Sequence, residues 1–103
     1  MTNNFLANIY IISTKAIPQI LINRAAVLGN IIDKYSNISG QVYLNKDKNI
    51  EFDLYNNKKK LKLVILDAVW GTFKIGRKKA EGVLLNRTYI IPLLEELNGV
   101  SNE

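Results

Sequence analysis

The stretch that most constrains the fold runs from Asn57 to Thr88. Leu61, Ile65, Ala68, Val69 and Phe73 recur at helical spacing and give one apolar face. Lys74, Ile75 and Gly76 then interrupt the pattern. Arg77-Lys78-Lys79-Ala80 opens a second run, in which Ala80, Val83 and Leu84 form another apolar stripe. The spacing predicts two helices joined by a tight turn, a helix-turn-helix. A small residue at Ala80 lets the second helix cross the first closely, and Ile75 suits the one buried position in the turn. Two positions depart from the usual pattern: Trp70 near the middle of the first helix, and Lys74 where the turn commonly has glycine.

Upstream, Phe5, Ile9, Ile12 and Ala16 fit a helix, although Asn8 to Ser13 also fits a short buried strand; the helix is preferred. Pro18 suits the first turn of a second helix. Leu21, Ala25, Leu28, Ile32 and Tyr35 form its apolar face, with Gly29 as its weak point and Ser36 to Gly40 as its end. Two strands follow. Val42 and Leu44 alternate with Gln41 and Tyr43, and Ile50, Phe52 and Leu54 alternate with Glu51, Asp53 and Tyr55. The polar loop Asn45 to Asn49 has hairpin length. Asn56-Asn57 offers an N-cap for the helix-turn-helix. Thr88 to Ile91 reads as a strand or as a continuation of the preceding helix. Pro92 opens a short helix, Leu93 to Leu97, that Asn98-Gly99 stops. The expected fold is α+β: helix, β-hairpin, helix-turn-helix and a short C-terminal element, in one domain spanning residues 1–103.

The chain has no cysteine and no histidine. Disulfides, thiol nucleophiles, Ser-His-Asp chemistry and the usual zinc ligands are therefore removed together. Gly71 to Lys78 has glycines at phosphate-loop spacing but lacks the Lys-Ser/Thr that must follow the second one. Glu51 and Asp53 share the wet face of a strand, yet two carboxylates without a third ligand make a poor cation site. Trp70 and the tyrosines read as packing residues. No enzyme, no cofactor and no metal is expected. No apolar run approaches the roughly 20 residues of a membrane span, and the apolar start lacks the basic flank of a secretion signal. The expectation is a cytoplasmic protein that does not engage a membrane.

The net charge is +5, and its placement matters more than its size. Residues 1–40 carry net +2, residues 41–80 net +6 and residues 81–103 net −3. Cations gathered in the middle of a chain suit a surface that meets a phosphate backbone. In the second helix, Arg77 is the candidate guanine reader, with Lys78 and Lys79 on phosphates. Glu81, Gly82 and Leu85 are poor groove contacts, so the hairpin is expected to contribute as much as that helix or more. Its candidates are Tyr43, Asn45, Lys46, Lys48 and Asn49, together with Lys58, Lys59 and Lys60 just after it. Three cations at a helix N-terminus oppose the macrodipole, which favours an external anion there.

The run from Arg24 to Arg87 resembles winged helix-turn-helix domains encoded on plasmids of low-GC bacteria. Ala25-Ala26-Val27-Leu28-Gly29-Asn30-Ile31-Ile32-Asp33-Lys34 is similar to the helix that leads into their hairpin. Ile75-Gly76-Arg77-Lys78-Lys79-Ala80-Glu81 is similar to their turn and recognition helix. The small basic chain looks closest to the TcpK type, accessory proteins that bind the origin of transfer on clostridial conjugative plasmids. The resemblance implies non-catalytic, sequence-specific binding of double-stranded DNA, and work beside other conjugation or plasmid proteins. A homodimer is expected, because one small domain contacts few base pairs. Apolar residues left over in the first 16 residues and in Leu93 to Leu97 could supply its seam. The alternatives are a small repressor of a mobile element, or a protein-interaction or immunity-type module that binds no nucleic acid.

Overall fold

The computed structural model describes residues 5–66, 70–75, 78–83 and 87–99. Two helices come first, α1 (Phe5–Ile12) and α2 (Gln19–Ile32). Five strands follow: β1 (Ser39–Leu44), β2 (Ile50–Asn56), β3 (Lys59–Ile65), β4 (Trp70–Ile75) and β5 (Lys78–Val83). A last helix, α3 (Arg87–Asn98), closes the described chain. The strands pair antiparallel in chain order, β1-β2-β3-β4-β5. The α+β class expected from sequence holds, as do both early helices and the first hairpin.

The alternation foreseen in that hairpin sets the layers. Val42, Ile50, Phe52 and Leu54 point to one side and are buried, joined by Leu61, Leu63 and Ile65 of β3. All three helices bury their apolar stripes in the same cluster, through Phe5, Ile9 and Ile12, through Ala25, Leu28 and Ile32, and through Ile90, Leu94 and Leu97. The result is two layers, helices over one sheet face, with the other face left open. Phe5 and Phe52 meet edge to face across the layers, centroids 5.4 Å apart at 67°. Gly29 lets α1 approach α2, since a Cβ there would lie 3.1 Å from that of Phe5.

The helix-turn-helix does not form. Between Asn57 and Thr88 the described residues lie in β3, β4 and β5 and at the start of α3. Leu61 and Ile65 are four apart, a spacing that helical and alternating patterns share. Leu63 between them breaks the tie, because Leu61, Leu63 and Ile65 all face the core while Lys60 and Lys62 face solvent. Asn56-Asn57 is no N-cap. Asn56 pairs with Lys59 across a tight turn in which Asn57 takes the left-handed conformation (φ 58°) that asparagine tolerates best after glycine. Ile75, expected in the helical turn, ends β4 opposite Lys78. Ala80 and Val83, expected in the second helix, lie in β5. Ala68, Val69, Gly76, Arg77, Leu84 and Leu85 lie outside the described residues.

At the C-terminus, Thr88 to Ile91 and the expected short helix are one continuous helix with Pro92 inside it. Three side chains serve the last carbonyls of α3, which have no partner within the helix. Asn56 Nδ2 donates to the Leu97 carbonyl (2.9 Å), Lys59 Nζ to that of Glu96 (3.4 Å) and Asn37 Nδ2 to that of Asn98 (3.3 Å). Gly99 ends the helix at φ 78°, as the sequence foretold. Among the described residues, no helix is long and apolar enough to cross a membrane.

Candidate nucleic-acid interface

The open face of the sheet is polar because every second residue of a half-buried strand must point away from the core. Its rows follow from the register. One row runs Tyr43, Glu51, Val64 and Thr72, and the next runs Gln41, Asp53, Lys62 and Lys74. Tyr55 stands opposite Lys60 in a third. Lys60, Lys62 and Lys74 are exposed on this face. Lys62 and Lys74 face each other directly in adjacent strands, with backbones about 5 Å apart. Lys79 follows in register on β5. Like charges placed opposite one another weaken a sheet.

The first row holds a network that sequence reasoning did not foresee. Glu51 is 5% exposed although it lies on the open side. Tyr43 covers it, with the phenol oxygen 2.5 Å from Glu51 Oε2 and 2.7 Å from Asp53 Oδ2. Asn45 Nδ2 donates to Glu51 Oε1 at 3.0 Å, and Lys62 Nζ lies 3.5 Å from Oε2. A phenol has one proton to give, so both short contacts are hydrogen bonds only when a carboxyl supplies the second. Burial pushes Asp53 up, and so does the neighbouring Glu51, so of the two carboxyls Asp53 holds a proton more readily. Burial would raise Glu51 as well. The bonds it takes from Asp53, Tyr43 and Asn45, with Lys62 beside it, outweigh burial and bring it down to about 2. The same contacts and burial push the Tyr43 phenol well above its ordinary range.

These shifts predict opposite pH effects. Glu51, ordinarily near 4.5, contributes stability that is full above that pH and is lost as the pH falls towards about 2. The shift corresponds to at most about 3 kcal/mol. Asp53, raised from 3.8, contributes stability that is full below that pH and lost as the pH rises through its folded value. Thermal melts should therefore show Glu51→Gln less stable than the parent at pH 7 and flatter on the acid side. Asp53→Asn should be more stable than the parent at pH 7. Equal melting temperatures for the two variants at pH 7 would contradict the assignment.

The tip of the first hairpin is built by Asn45, whose Oδ1 accepts from the backbone N–H of Asp47 (2.9 Å) and of Asn49 (3.0 Å). Lys46 and Lys48 are exposed there, as expected. Lys48 takes a left-handed conformation (φ 64°), at a cost of about 1 kcal/mol relative to glycine. Tip, network and lysines enclose an open concavity of about 670 Å³ that includes Asn49, Lys62 and Lys74 in its lining.

Tyr43 and Asn45 hold this structure together from within, Tyr43 through Glu51 and Asp53 and Asn45 through Glu51 and the backbone of the tip. Lys58 and Lys60 are exposed, whereas Lys59 turns to the helix layer and binds the end of α3. The Lys58 to Lys60 turn and the hairpin tip do not adjoin. They lie at opposite ends of the seven-residue β2, about 20 Å apart. Lys62 and Lys74 fill the space between them, and both were missed at the sequence level. The alternation Lys60-Leu61-Lys62-Leu63 carried the signal for Lys62. Lys78 and Lys79 lie in a strand, not on a recognition helix, and Arg77 lies outside the described residues. Among the described residues, no group of three histidine, cysteine or acidic side chains could hold a metal ion. No protein-family model matches the chain, and neither a curated protein nor a solved structure matches it.

Proposed function

We propose that the protein binds double-stranded DNA without catalysis, through phosphate contacts spread over the open face of the sheet and the tip of its first hairpin. One observation carries this reading. Lys62 and Lys74 stand opposite each other, with Lys60 close by, and among the described residues the only anion paired with any of them is the buried Glu51. A polyanion laid across the face relieves that repulsion. From Lys46 and Lys48 at one end to Lys58 at the other, the cations span about 20 Å, roughly six base-pair steps of a duplex.

Without a helix from Arg77, readout of bases by a helix in the major groove has no support here. Any sequence preference falls to the hairpin tip. A role at a plasmid transfer origin, with a small repressor as the alternative, rests on the sequence resemblance from Arg24 to Arg87 alone, and of the two segments that carry it only Ala25 to Lys34 keeps its expected helix. The test is fluorescence anisotropy with a labelled duplex of about 20 base pairs over a series of salt concentrations. Affinity is expected to fall with a log–log slope of about −4 to −5, from five or six phosphate contacts. A slope near zero, or tighter binding to a single strand of the same sequence, would overturn the proposal.

A further inference from the structure

Helices α1 and α2 turn one side to the core and leave the other uncovered. At 100° per residue, Phe5, Ile9 and Ile12 cluster on one side of α1, while Leu6, Tyr10 and Ile11 centre on the opposite side. The latter three are 51%, 74% and 58% exposed. On α2, Ile20 and Val27 are each 49% exposed and point away from Ala25, Leu28 and Ile32, with the uncharged Asn23 and Asn30 in the same stripe. In the eight residues of α1 and the fourteen of α2, the only charged side chain is Arg24, which is half-buried.

We propose that this face is the seat of a second copy of the chain, joined helix layer to helix layer about a two-fold axis. Extent is the first reason. Helices about 12 and 21 Å long, each presenting a strip about 10 Å wide, expose a patch on the order of 300 Å². A patch of that size is within the range of the largest apolar patch on a typical monomer, and such patches are often functional. It would form the apolar centre of a contact, with the surrounding polar rim supplying the rest of the roughly 800 Å² per partner of a standard interface. Charge is the second reason. The chain carries net +5, and six exposed cations, Lys46, Lys48, Lys58, Lys60, Lys62 and Lys74, lie on the open sheet face or at its ends, whereas on the helix side Lys15 and Lys34 are exposed only at the ends of α1 and α2 and Lys59 at the end of α3. Copies meeting through the sheet would repel, whereas the α1–α2 face brings neutral surface to neutral surface. An acidic partner would find no complement there. Tyr10, the most exposed large hydrophobic side chain among the described residues and an aromatic, is the anchor that such a contact uses best.

The arrangement has a consequence that rests on the proposed DNA binding. The helix face and the open sheet face are opposite sides of a two-layer molecule. Pairing through the helices therefore points the two cationic faces away from each other. The dimer then holds two separate duplex segments together, instead of reading adjacent half-sites on one duplex, as helix-turn-helix dimers do.

Two measurements on the full chain test this. Sedimentation equilibrium at about 100 μM should give twice the 11.7 kDa chain mass for the parent. It should give the single mass for Tyr10→Lys/Ile11→Glu, with an unchanged circular dichroism spectrum. A parent that sediments as a monomer, or a variant that stays dimeric, overturns the dimer. In the second measurement, an immobilised duplex is loaded with protein and offered a labelled second duplex. The parent should capture it. The variant should bind one duplex with affinity within about twofold of the parent and capture none. A dimeric parent that binds the first duplex and leaves the second in solution overturns the outward-facing arrangement. Failure to bind either duplex would remove the DNA reading and leave the dimer standing on sedimentation.

Discussion

Lys60→Glu/Lys74→Glu is expected to bind duplex DNA on the order of 100-fold more weakly than the parent at about 100 mM salt. Both side chains are exposed on the open face, and neither has an ion-pair partner among the described residues, so folding should tolerate their loss. Reversal removes two phosphate contacts and places two anions against the backbone. The milder Lys60→Ala/Lys74→Ala should reduce the salt slope by about two. Lys62 is left out because it neutralises the buried Glu51, and its removal would mix a folding effect with a binding one. Lys59→Ala is the control. Its ammonium serves the end of α3 on the other side of the sheet, so binding should change by less than about twofold. Titration of each variant by fluorescence anisotropy decides the matter. Loss of affinity in Lys59→Ala alone would place the DNA on the wrong face.

Gly40→Ala is expected to lower stability by about 3 kcal/mol or more, a fall in melting temperature on the order of 15 °C. A Cβ at this position would lie 2.3 Å from the Asp53 carbonyl oxygen and 3.0 Å from the Leu54 Cα. Both are backbone atoms of the paired strand, and neither can move aside as a side-chain tip could. The edge strand β1 must shift away, and Tyr43, three residues on, would be drawn off Glu51 and Asp53. Gly29→Ala provides the contrast. There the new methyl meets the Phe5 Cβ at 3.1 Å, which asks for a shift of a few tenths of an ångström, and the gain in helix propensity of about 1 kcal/mol offsets it. Urea denaturation of both variants checks the pair. Equal midpoints would mean that β1 does not approach β2 as closely as described.

Much of the first half of the fold was legible because its signals are local. The period of α2, the Ser36 to Gly40 break and the alternation on both sides of Asn45 to Asn49 each fit one kind of element. Between Leu61 and Phe73 the signals conflicted. Leu61 and Ile65 satisfy both periods, and Leu63 between them, with the lysines at positions 60 and 62, favours a strand. Part of the candidate interface was legible too. The tip lysines and the Lys58 to Lys60 run were named, but the second was read as a helix start instead of a turn with one lysine on each face.

By itself, the sequence determined the α+β class, the two early helices, the first hairpin and the concentration of positive charge in the middle of the chain. Each of these depends on residues near one another, whose patterns need no partner to be read. Only the tertiary structure decided that the chain from Lys59 to Val83 forms three more strands. A helix satisfies its backbone internally, whereas a strand exists only beside another strand that supplies its hydrogen bonds. The same pairing set Lys74 opposite Lys62 and folded Tyr43 over Glu51, because register fixes neighbours across a sheet and residue spacing along one strand carries no record of it.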